Sequence, residues 1–269
     1  MAAGRLAGVP VVLDTRHGLG PSEEPPPQPW LRREARKSRL AHRTITVCRS
    51  DRDRLISGGL PEERAVYIPN GIPDRPRRPR PAIQGAIRLG FLGRLEPEKQ
   101  PLLLPAMGAA LERRIPEGWS LTIAGEGALR PAVARAFEEK GLASRVSWLG
   151  ETDGPAPLLA RSDFLCVPSL REGQPLGVLE AMQLGVVPVA RRIASLEELL
   201  AGDPAAGLLL PLDPEVWAGK IAELGRSAER LAVMVEEGRR RVERDHRLET
   251  TLDRIEALYR DCFASATGG

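Results

Sequence analysis

The sequence is poor in aromatic residues and cysteine and has no long apolar run. Its four Trp, two Tyr and four Phe form no cluster, so a nucleic-acid partner that binds by base stacking is not expected. The three cysteines are far apart and show neither metal-ligand spacing nor a disulfide framework. Because no stretch of 18 apolar residues occurs and residues 1–14 lack the apolar centre of a signal peptide, we expect no transmembrane helix and predict a cytoplasmic protein.

Positive charge is concentrated in the first third of the chain. Residues 1–85 contain 16 Lys and Arg against 9 Asp and Glu, a net charge of +7, whereas the remainder contains 23 against 27, a net charge of −4. Much of the excess lies on a predicted basic helix at residues 30–42, in which Glu34 is the only acidic residue. Two interpretations stay open: a solvated helix face, or peripheral contact with an anionic membrane or a lipid-linked acceptor. A scaffold protein that binds anions or membranes through this basic region is a further alternative.

Strand-like and helix-like segments alternate along the chain, which is typical of an α/β fold with parallel sheets. Strands are predicted at residues 10–14, 44–48, 66–69, 87–92, 121–124, 146–149, 164–167 and 186–190. Helices are predicted at residues 30–42, 101–114, 129–140, 176–184, 214–223, 228–245 and 248–263, and Gly185 is the expected stop signal of the fourth. The proline- and arginine-rich residues 72–81 can form neither a helix nor a central strand, so we interpret them as a linker.

Polar and flexible residues follow three of the predicted strands. They are Gly93 and Arg94 with Lys99 beyond them, the run Gly125-Glu126-Gly127, and residues 168–173. In open parallel sheets, ligands bind at the carboxyl ends of the strands. An arginine and a lysine that converge on a helix amino terminus would neutralise a diphosphate. A solvated turn for the two cations, and ordinary turn glycines, are the competing interpretations.

Two glutamates eight residues apart flank the start of the helix predicted at residue 176. Glu172 lies in a turn-forming segment, and Glu180 lies about two turns inside the helix. The exposed N–H groups of a helix start can bind a phosphate, and carboxylates can accept hydrogen bonds from sugar hydroxyls. The pair therefore suggests a site for a phosphorylated sugar, with a surface carboxylate as the alternative for Glu180.

Taken in order, the motifs of this chain resemble the GT-B glycosyltransferases, most closely the retaining family 4 group (glycosyl transferases group 1). The matching segments are residues 66–72, 93–99, 124–127, 172–180, 185–188 and 207–211. The resemblance covers residues 8–263 and implies an α/β fold of GT-B type, with a complete C-terminal Rossmann-like domain and a truncated N-terminal Rossmann-like portion. It also implies an enzyme of polysaccharide biosynthesis that moves a sugar, with retention, from a nucleotide diphosphate sugar to a glycan, lipid-linked or small-molecule acceptor.

The same resemblance implies roles for individual residues. Arg94 and Lys99 would bind the donor diphosphate, Glu172 the hydroxyls of the donor sugar and Glu180 those of the ribose. His17 matches the histidine that reaches the transferred sugar, with simple loop packing as its alternative. Further donor contacts are implied for Gly93, Gly125, Gly150, Pro175, Leu176, Gly177 and Val178. No metal and no cofactor are expected, because the cationic side chains and the helix dipole would take their place.

The resemblance implies four regions. Residues 1–74 would form a partial acceptor-side domain, 75–85 the linker, 86–245 the donor-binding domain and 246–269 a helix that packs back toward the first domain. The family's Pro-Asn-Gly segment comes early, at Pro69 to Gly71, so the acceptor side is expected to be short. An inactive remnant, or a nucleotide-sugar-binding subunit completed by a partner chain, is therefore the alternative function. Gln100 stands where the family usually has glycine.

Overall fold

The structure, a computed structural model, describes residues 1–20, 26–76, 83 and 85–267. The predicted linker at 75–85 therefore lies mostly outside the described residues. The chain divides into two compact units, each with most of its contacts within itself. The first unit comprises Met1–Asp74, Arg171–Pro175 and Asp245–Gly269, and the second comprises Arg75–Leu170 and Leu176–Arg244.

Strands and helices alternate along the described chain. The strands are β1 (Leu13–Arg16), β2 (Arg43–Thr46), β3 (Ala65–Tyr67), β4 (Ile87–Leu92), β5 (Trp119–Ala124), β6 (Val146–Gly150), β7 (Phe164–Val167), β8 (Val187–Arg191) and β9 (Leu208–Leu210). The helices are α1 (Ala2–Leu6), α2 (Gln28–Ser38), α3 (Arg49–Ser57), α4 (Leu103–Arg114), α5 (Arg130–Glu139), α6 (Ala156–Leu159), α7 (Leu176–Gln183), α8 (Ala194–Leu200), α9 (Pro214–Gly225), α10 (Ala228–Asp245) and α11 (Leu248–Thr267). The predicted α/β fold is confirmed.

The second unit is built on a six-stranded, fully parallel sheet. Its strand order is β6-β5-β4-β7-β8-β9, so the direction of winding reverses between β4 and β7. All four residues of β7 are buried, as expected for a strand covered by helices on both faces. A sheet of this order has its ligand crevice at the carboxyl ends of the two strands beside the reversal.

The core of the second unit contains two tryptophans whose polar atoms are satisfied. Trp119 and Trp217 are at most 1% exposed. The indole N–H of Trp119 donates to Glu112 at 2.7 Å, and that of Trp217 donates to the carbonyl of Pro211 at 2.7 Å. Burying a side chain of this size stabilises the fold by roughly 4–6 kcal/mol, because about 150–250 Å² leave water. The six-stranded sheet thus packs against a core that contains two fully buried tryptophans.

The first unit contains a three-stranded parallel sheet of order β1-β2-β3. Its core cluster is small: Leu19, Ala35, Leu55, Leu60 and Ala65. Helix α11 belongs to this unit and packs on the segment after β3, where Ile72 pairs with Arg247. A Cβ on Gly71 would lie 2.6 Å from the carbonyl oxygen of Arg247, so glycine permits this close approach.

The element boundaries differ from the prediction mainly in the first unit. The predicted helix 30–42 is α2, which starts at Gln28 and ends at Ser38, because the chain must turn before β2. The first strand begins at Leu13 instead of residue 10, opposite the start of β2 at Arg43. In the second unit, Gly185 stops α7 as predicted: its φ is +74°, and Val186 N–H reaches the carbonyl of Ala181.

Candidate functional site

Glycines interlock the turns that follow β4 and β5. The N–H of Gly93 donates to the carbonyl of Ala124 at 3.0 Å, and that of Leu95 donates to the carbonyl of Glu126 at 2.8 Å. Gly125 has φ +128°, and a Cβ there would lie 2.1 Å from the carbonyl oxygen of Gly93. These glycines have a structural role whether or not they also contact a ligand.

The turn after β4 brings Gly93, Arg94 and Lys99 together. Arg94 is 69% exposed and forms an ion pair with Glu98. The aliphatic Cδ and Cε atoms of Lys99 lie 3.9 Å from the position a Cβ would take on Gly93. Gln100 adopts the left-handed conformation at φ +49°, and its amide donates to the carbonyl of Pro97 at 2.7 Å. This backbone conformation explains why glycine suits the position better.

Helix α7 begins against the end of β4. A Cβ on Gly177 would lie 2.9 Å from Cδ2 of Leu92, so the start of the helix packs closely on the end of the strand. Leu176 is 50% exposed and Val178 is buried, so the helix is anchored on one side and open at its first residue. The first N–H groups of a helix have no acceptor within it and carry partial positive charge. The amino end of α7 and the turn after β4 thus lie at the point where the sheet reverses, and Glu98 pairs with Arg94 in that turn.

Glu180 lies in the second turn of α7 with a side chain only 16% exposed. Burial raises the pKa of this carboxyl, and the charge of Arg75, whose guanidinium lies 3.6 Å away, partly opposes that rise. A ligand hydroxyl that donates to Glu180 would therefore compete with Arg75. The sequence did not indicate this partner, because Arg75 falls in the region interpreted as solvated linker.

The end of β6 carries an aromatic and charged cluster that the sequence did not indicate. Gly150 has φ +65°, and its carbonyl accepts from the N–H of Gly125 at 2.7 Å. The guanidinium of Arg130 lies 5.3 Å from the ring centre of Trp148 and 3.3 Å from the carboxylate of Glu126. A planar cation stacked on an indole can support a flat ligand group.

The remaining predicted site residues lie in the first unit. His17 is exposed, and a Cβ on Gly173 would lie 2.3 Å from its carbonyl oxygen, so the backbones at His17 and at Glu172 are close together. Gln174 is 8% exposed and holds Asn70: it accepts from the Asn70 N–H at 2.6 Å, and its carbonyl accepts from the Asn70 amide at 2.8 Å. Pro175 ends this segment of the first unit.

The described side chains form no metal-like cluster: no group of three or more His, Cys, Asp or Glu is placed to hold an ion. Within the same residues, no helix combines the length and apolar character needed to cross a membrane. The three cysteines are buried and unpaired by disulfides, and burial raises the pKa of Cys166 to about 12, so its thiol stays protonated.

Two family models cover most of the chain. Residues 86–227 match the family described as Glycosyl transferases group 1, and residues 1–75 match Glycosyltransferase Family 4. The chain belongs to the group 1 glycosyl transferases. The first match spans the six-stranded sheet and includes the turn after β4 and the start of α7, so the predicted donor-side residues fall within it.

This group 1 glycosyl transferase is similar to curated enzymes with different acceptors. It is 32% identical over 189 residues to the D-inositol 3-phosphate glycosyltransferase of Segniliparus rotundus. This match covers 67% of this chain and 40% of the relative. It is 26% identical over 279 residues to the UDP-Gal:alpha-D-GlcNAc-diphosphoundecaprenol alpha-1,3-galactosyltransferase of Escherichia coli, covering 96% and 71%. The chain thus spans less than half of the length of the first of these relatives and more than two thirds of the second.

The fold is shared with solved glycosyltransferase structures. HepE from Anabaena, solved in complex with UDP, superposes with a TM-score of 0.81 over 96% of this chain and 74% of that one, at 19% identity. At this identity the likeness shows the fold alone. The group 1 transferase is therefore of GT-B type, with parallel sheets in both units.

Proposed function

We propose that this chain binds a nucleotide diphosphate sugar at the carboxyl edge of its six-stranded sheet and transfers the sugar with retention. The observation that carries the proposal is the carboxyl edge at the β4–β7 reversal. There the open amino end of α7 packs against the end of β4, and the turn bearing Arg94 and Lys99 follows directly. Family membership and the ligand-binding rule for sheets of this order both support it.

Arg94 and Lys99 would act on the leaving group. As the bond between the anomeric carbon and the diphosphate oxygen breaks, the electron pair leaves with the nucleoside diphosphate. Two cations and the N–H groups of Leu176, Gly177 and Val178 would stabilise the charge that develops there, with no metal required. A bond forms between the acceptor oxygen and the anomeric carbon on the same face, and the leaving diphosphate would receive the acceptor's proton.

Glu180 and the end of β6 would hold the nucleoside. A ribose hydroxyl that donates to Glu180 would displace Arg75, which lies 3.6 Å from the carboxylate. Gly150 and the Arg130–Trp148 stack would support the base, because both lie at the carboxyl end of β6 beside Gly125. Contacts of Glu172 and His17 with the transferred sugar are proposed from the family resemblance.

The acceptor and the setting are proposed more broadly. A glycan, a lipid-linked sugar or a small molecule fits the family, since one relative's name specifies an inositol phosphate and another's a diphosphoundecaprenol. Action in the cytoplasm, at the inner face of the membrane, would suit a lipid-linked acceptor. A nucleotide-sugar-binding subunit that acts with a partner chain is the alternative.

A thermal-shift screen followed by a transfer assay tests the proposal. One class of nucleotide diphosphate sugar should raise the midpoint of unfolding, because a ligand at 100 times its Kd stabilises the native state by about 2.7 kcal/mol. Phosphorylated and lipid-diphosphate acceptors are then added, and the anomeric configuration of the product is read by NMR. Donor binding without transfer would favour the binding subunit, and no stabilisation by any nucleotide sugar would sink the proposal.

A further inference from the structure

A small cavity lies on the first unit, between helices α2 and α3. Its volume is about 220 Å³, and it is lined by Arg32, Ala35, Arg36, Arg39, Gly58 and Gly59. Arg32 and Arg36 on α2 and Arg39, its C-cap residue, follow the spacing i, i+4 and i+7, which places them on one face of the helix. Ala35 is 1% exposed, so the small side chain forms part of a packed wall.

The basic residues of α2 divide into two sets with different partners. Arg33 and Lys37 lie 3.5 and 2.7 Å from the carboxylate of Glu34, which is 6% exposed and also lies 3.5 Å from Arg16. Arg32 and Arg36, in contrast, have neither a hydrogen bond nor an ion pair with any residue that the structure describes. The cavity therefore collects the cations whose charge the described protein does not balance.

Backbone groups at the end of helix α3, beside the cavity, form hydrogen bonds within the protein. Helix α3 ends with the N–H of Gly59 donating to the carbonyl of Ile56 at 2.8 Å and that of Leu60 donating to the carbonyl of Leu55 at 3.0 Å. The carbonyl of Gly59 accepts from the guanidinium of Arg39 at 2.6 Å, which fixes that side chain. What the cavity offers to a ligand is guanidinium donors.

The cavity is rigid where the two helices meet. A Cβ on Gly58 would lie 2.4 Å from the carbonyl oxygen of Leu31, so α3 approaches the α2 backbone more closely than any other residue would allow. Leu55 and Leu60, on the α3 side of this contact, are 0% and 2% exposed. The wall is formed before any ligand binds.

The position in the fold separates this cavity from the predicted catalytic residues of the same unit. Helix α2 leads from the carboxyl end of β1 to the amino end of β2, and α3 leads from β2 to β3. Arg39 and Gly59, at the far ends of these helices, therefore lie near the amino edge of the sheet. His17 directly follows the carboxyl end of β1, at the other edge.

We propose that this cavity is a binding site for a phosphate group, as a phosphomonoester or a diphosphate. Guanidinium groups match phosphate oxygens with paired, charge-assisted hydrogen bonds. A volume near 220 Å³ admits such a group but falls short of the 300–1,000 Å³ typical of sites that enclose a whole organic ligand. The phosphate could come from a small compound in solution or from an anionic lipid headgroup.

Inorganic pyrophosphate is the probe for the solution source, titrated by calorimetry. All proteins carry Arg94→Ala and Lys99→Ala, which disables the proposed donor site. The cavity variant Arg32→Ala/Arg36→Ala should lose at least about tenfold in affinity. The matched control Arg33→Ala/Lys37→Ala removes the same charge from the same helix and should stay within about twofold. Thermal unfolding without ligand shows that both variants are folded.

Flotation with vesicles that contain phosphatidic acid, a phosphomonoester lipid, against vesicles of phosphatidylcholine alone, is the second arm. A selective loss of pyrophosphate binding in the cavity variant supports a ligand from solution, and a selective loss of vesicle binding supports a lipid headgroup. If the cavity variant and the control lose affinity equally, the effect is one of general charge. If neither loses affinity for either probe, the cavity does not bind phosphate. Either result overturns the proposal.

Discussion

The two sheets of this molecule carry their candidate ligand sites at opposite strand ends and build them differently. In the second unit the site lies at the carboxyl edge, where turns after β4, β5 and β6 are joined by backbone hydrogen bonds and close glycine contacts. In the first unit the cavity lies near the amino edge, and its donors are side chains of α2. A backbone-built site leaves glycines at fixed positions in the sequence, whereas a side-chain-built site leaves only a charge excess.

The strongest test of this difference replaces a glycine of the interlocked turns. Gly125→Ala would place a Cβ 2.1 Å from the Gly93 carbonyl at φ +128°, so we expect a loss of at least about 2 kcal/mol in the free energy of unfolding. Gly141→Ala is the control, since its φ is +67° but nothing lies within 4 Å, and only about 1 kcal/mol should be lost. Urea unfolding, monitored by tryptophan fluorescence, gives the free energy of unfolding of both variants. Equal losses of stability would mean that the turns are not interlocked.

A smaller effect is expected when the buried carboxylate at the site is neutralised. Burial raises the folded-state pKa of Glu180 above 4.5, so the folded protein binds the proton more tightly than the unfolded chain does. That contribution to stability is present below the unfolded pKa and is lost as pH rises through the folded pKa. Glu180→Gln should therefore raise the midpoint of thermal unfolding by about 1–3 °C at pH 7, and the gain should shrink toward pH 4.

The same substitution should weaken nucleotide binding, because the amide cannot replace a charged acceptor. Glu229→Gln, at an exposed position on α10, is the control for binding and should leave the affinity unchanged. Normal nucleotide binding by the Glu180→Gln variant would contradict a role for this residue in the site and would favour the alternative of a surface carboxylate. A gain in stability that stays constant with pH would contradict the effect of burial on its pKa.

The smallest effect is expected at the turn between Lys99 and α4. Gln100→Gly relieves the left-handed conformation but loses the 2.7 Å bond to the Pro97 carbonyl, so a net gain of about 0.5 kcal/mol is expected. Gln100→Ala keeps the strained Cβ and loses the bond, so it should destabilise. Chemical denaturation of the two variants side by side gives the answer, and changes of the same sign would argue against strain at this turn.

The sequence was most informative where backbone geometry demands particular residues. The parallel sheet of the second unit, the end of α7 at Gly185 and the turn at Gly93 were predicted. Gly93 and Gly125 directly follow apolar strands, and Gly185 follows a helix. Helix α8 carries Leu196, Leu199 and Leu200 at helical spacing and could have been found from that signal.

Other features of the structure could not be predicted from the sequence. Helix α3 buries only Asp51 and Leu55, so its sequence has no apolar periodicity. The pairing of Arg75 with Glu180 and the clamp between Asn70 and Gln174 join residues 105 and 104 positions apart, and they depend on tertiary placement. The division of the α2 cations likewise depends on which of them reach Glu34, and a charge count cannot show it.

The central claim is that the turn after β4 binds the diphosphate of the donor. The most direct measurement is calorimetric titration with whichever of UDP, GDP, ADP or dTDP stabilises the protein most. Arg94→Ala/Lys99→Ala should lower the affinity at least about tenfold, because hydrogen bonds to charged groups contribute about 1.5–3 kcal/mol each. Arg113→Ala/Arg114→Ala removes the same charge from α4, where both arginines pair with Glu215, and should leave the affinity within about twofold. An unchanged affinity in the first variant, or equal losses in both, would contradict the account.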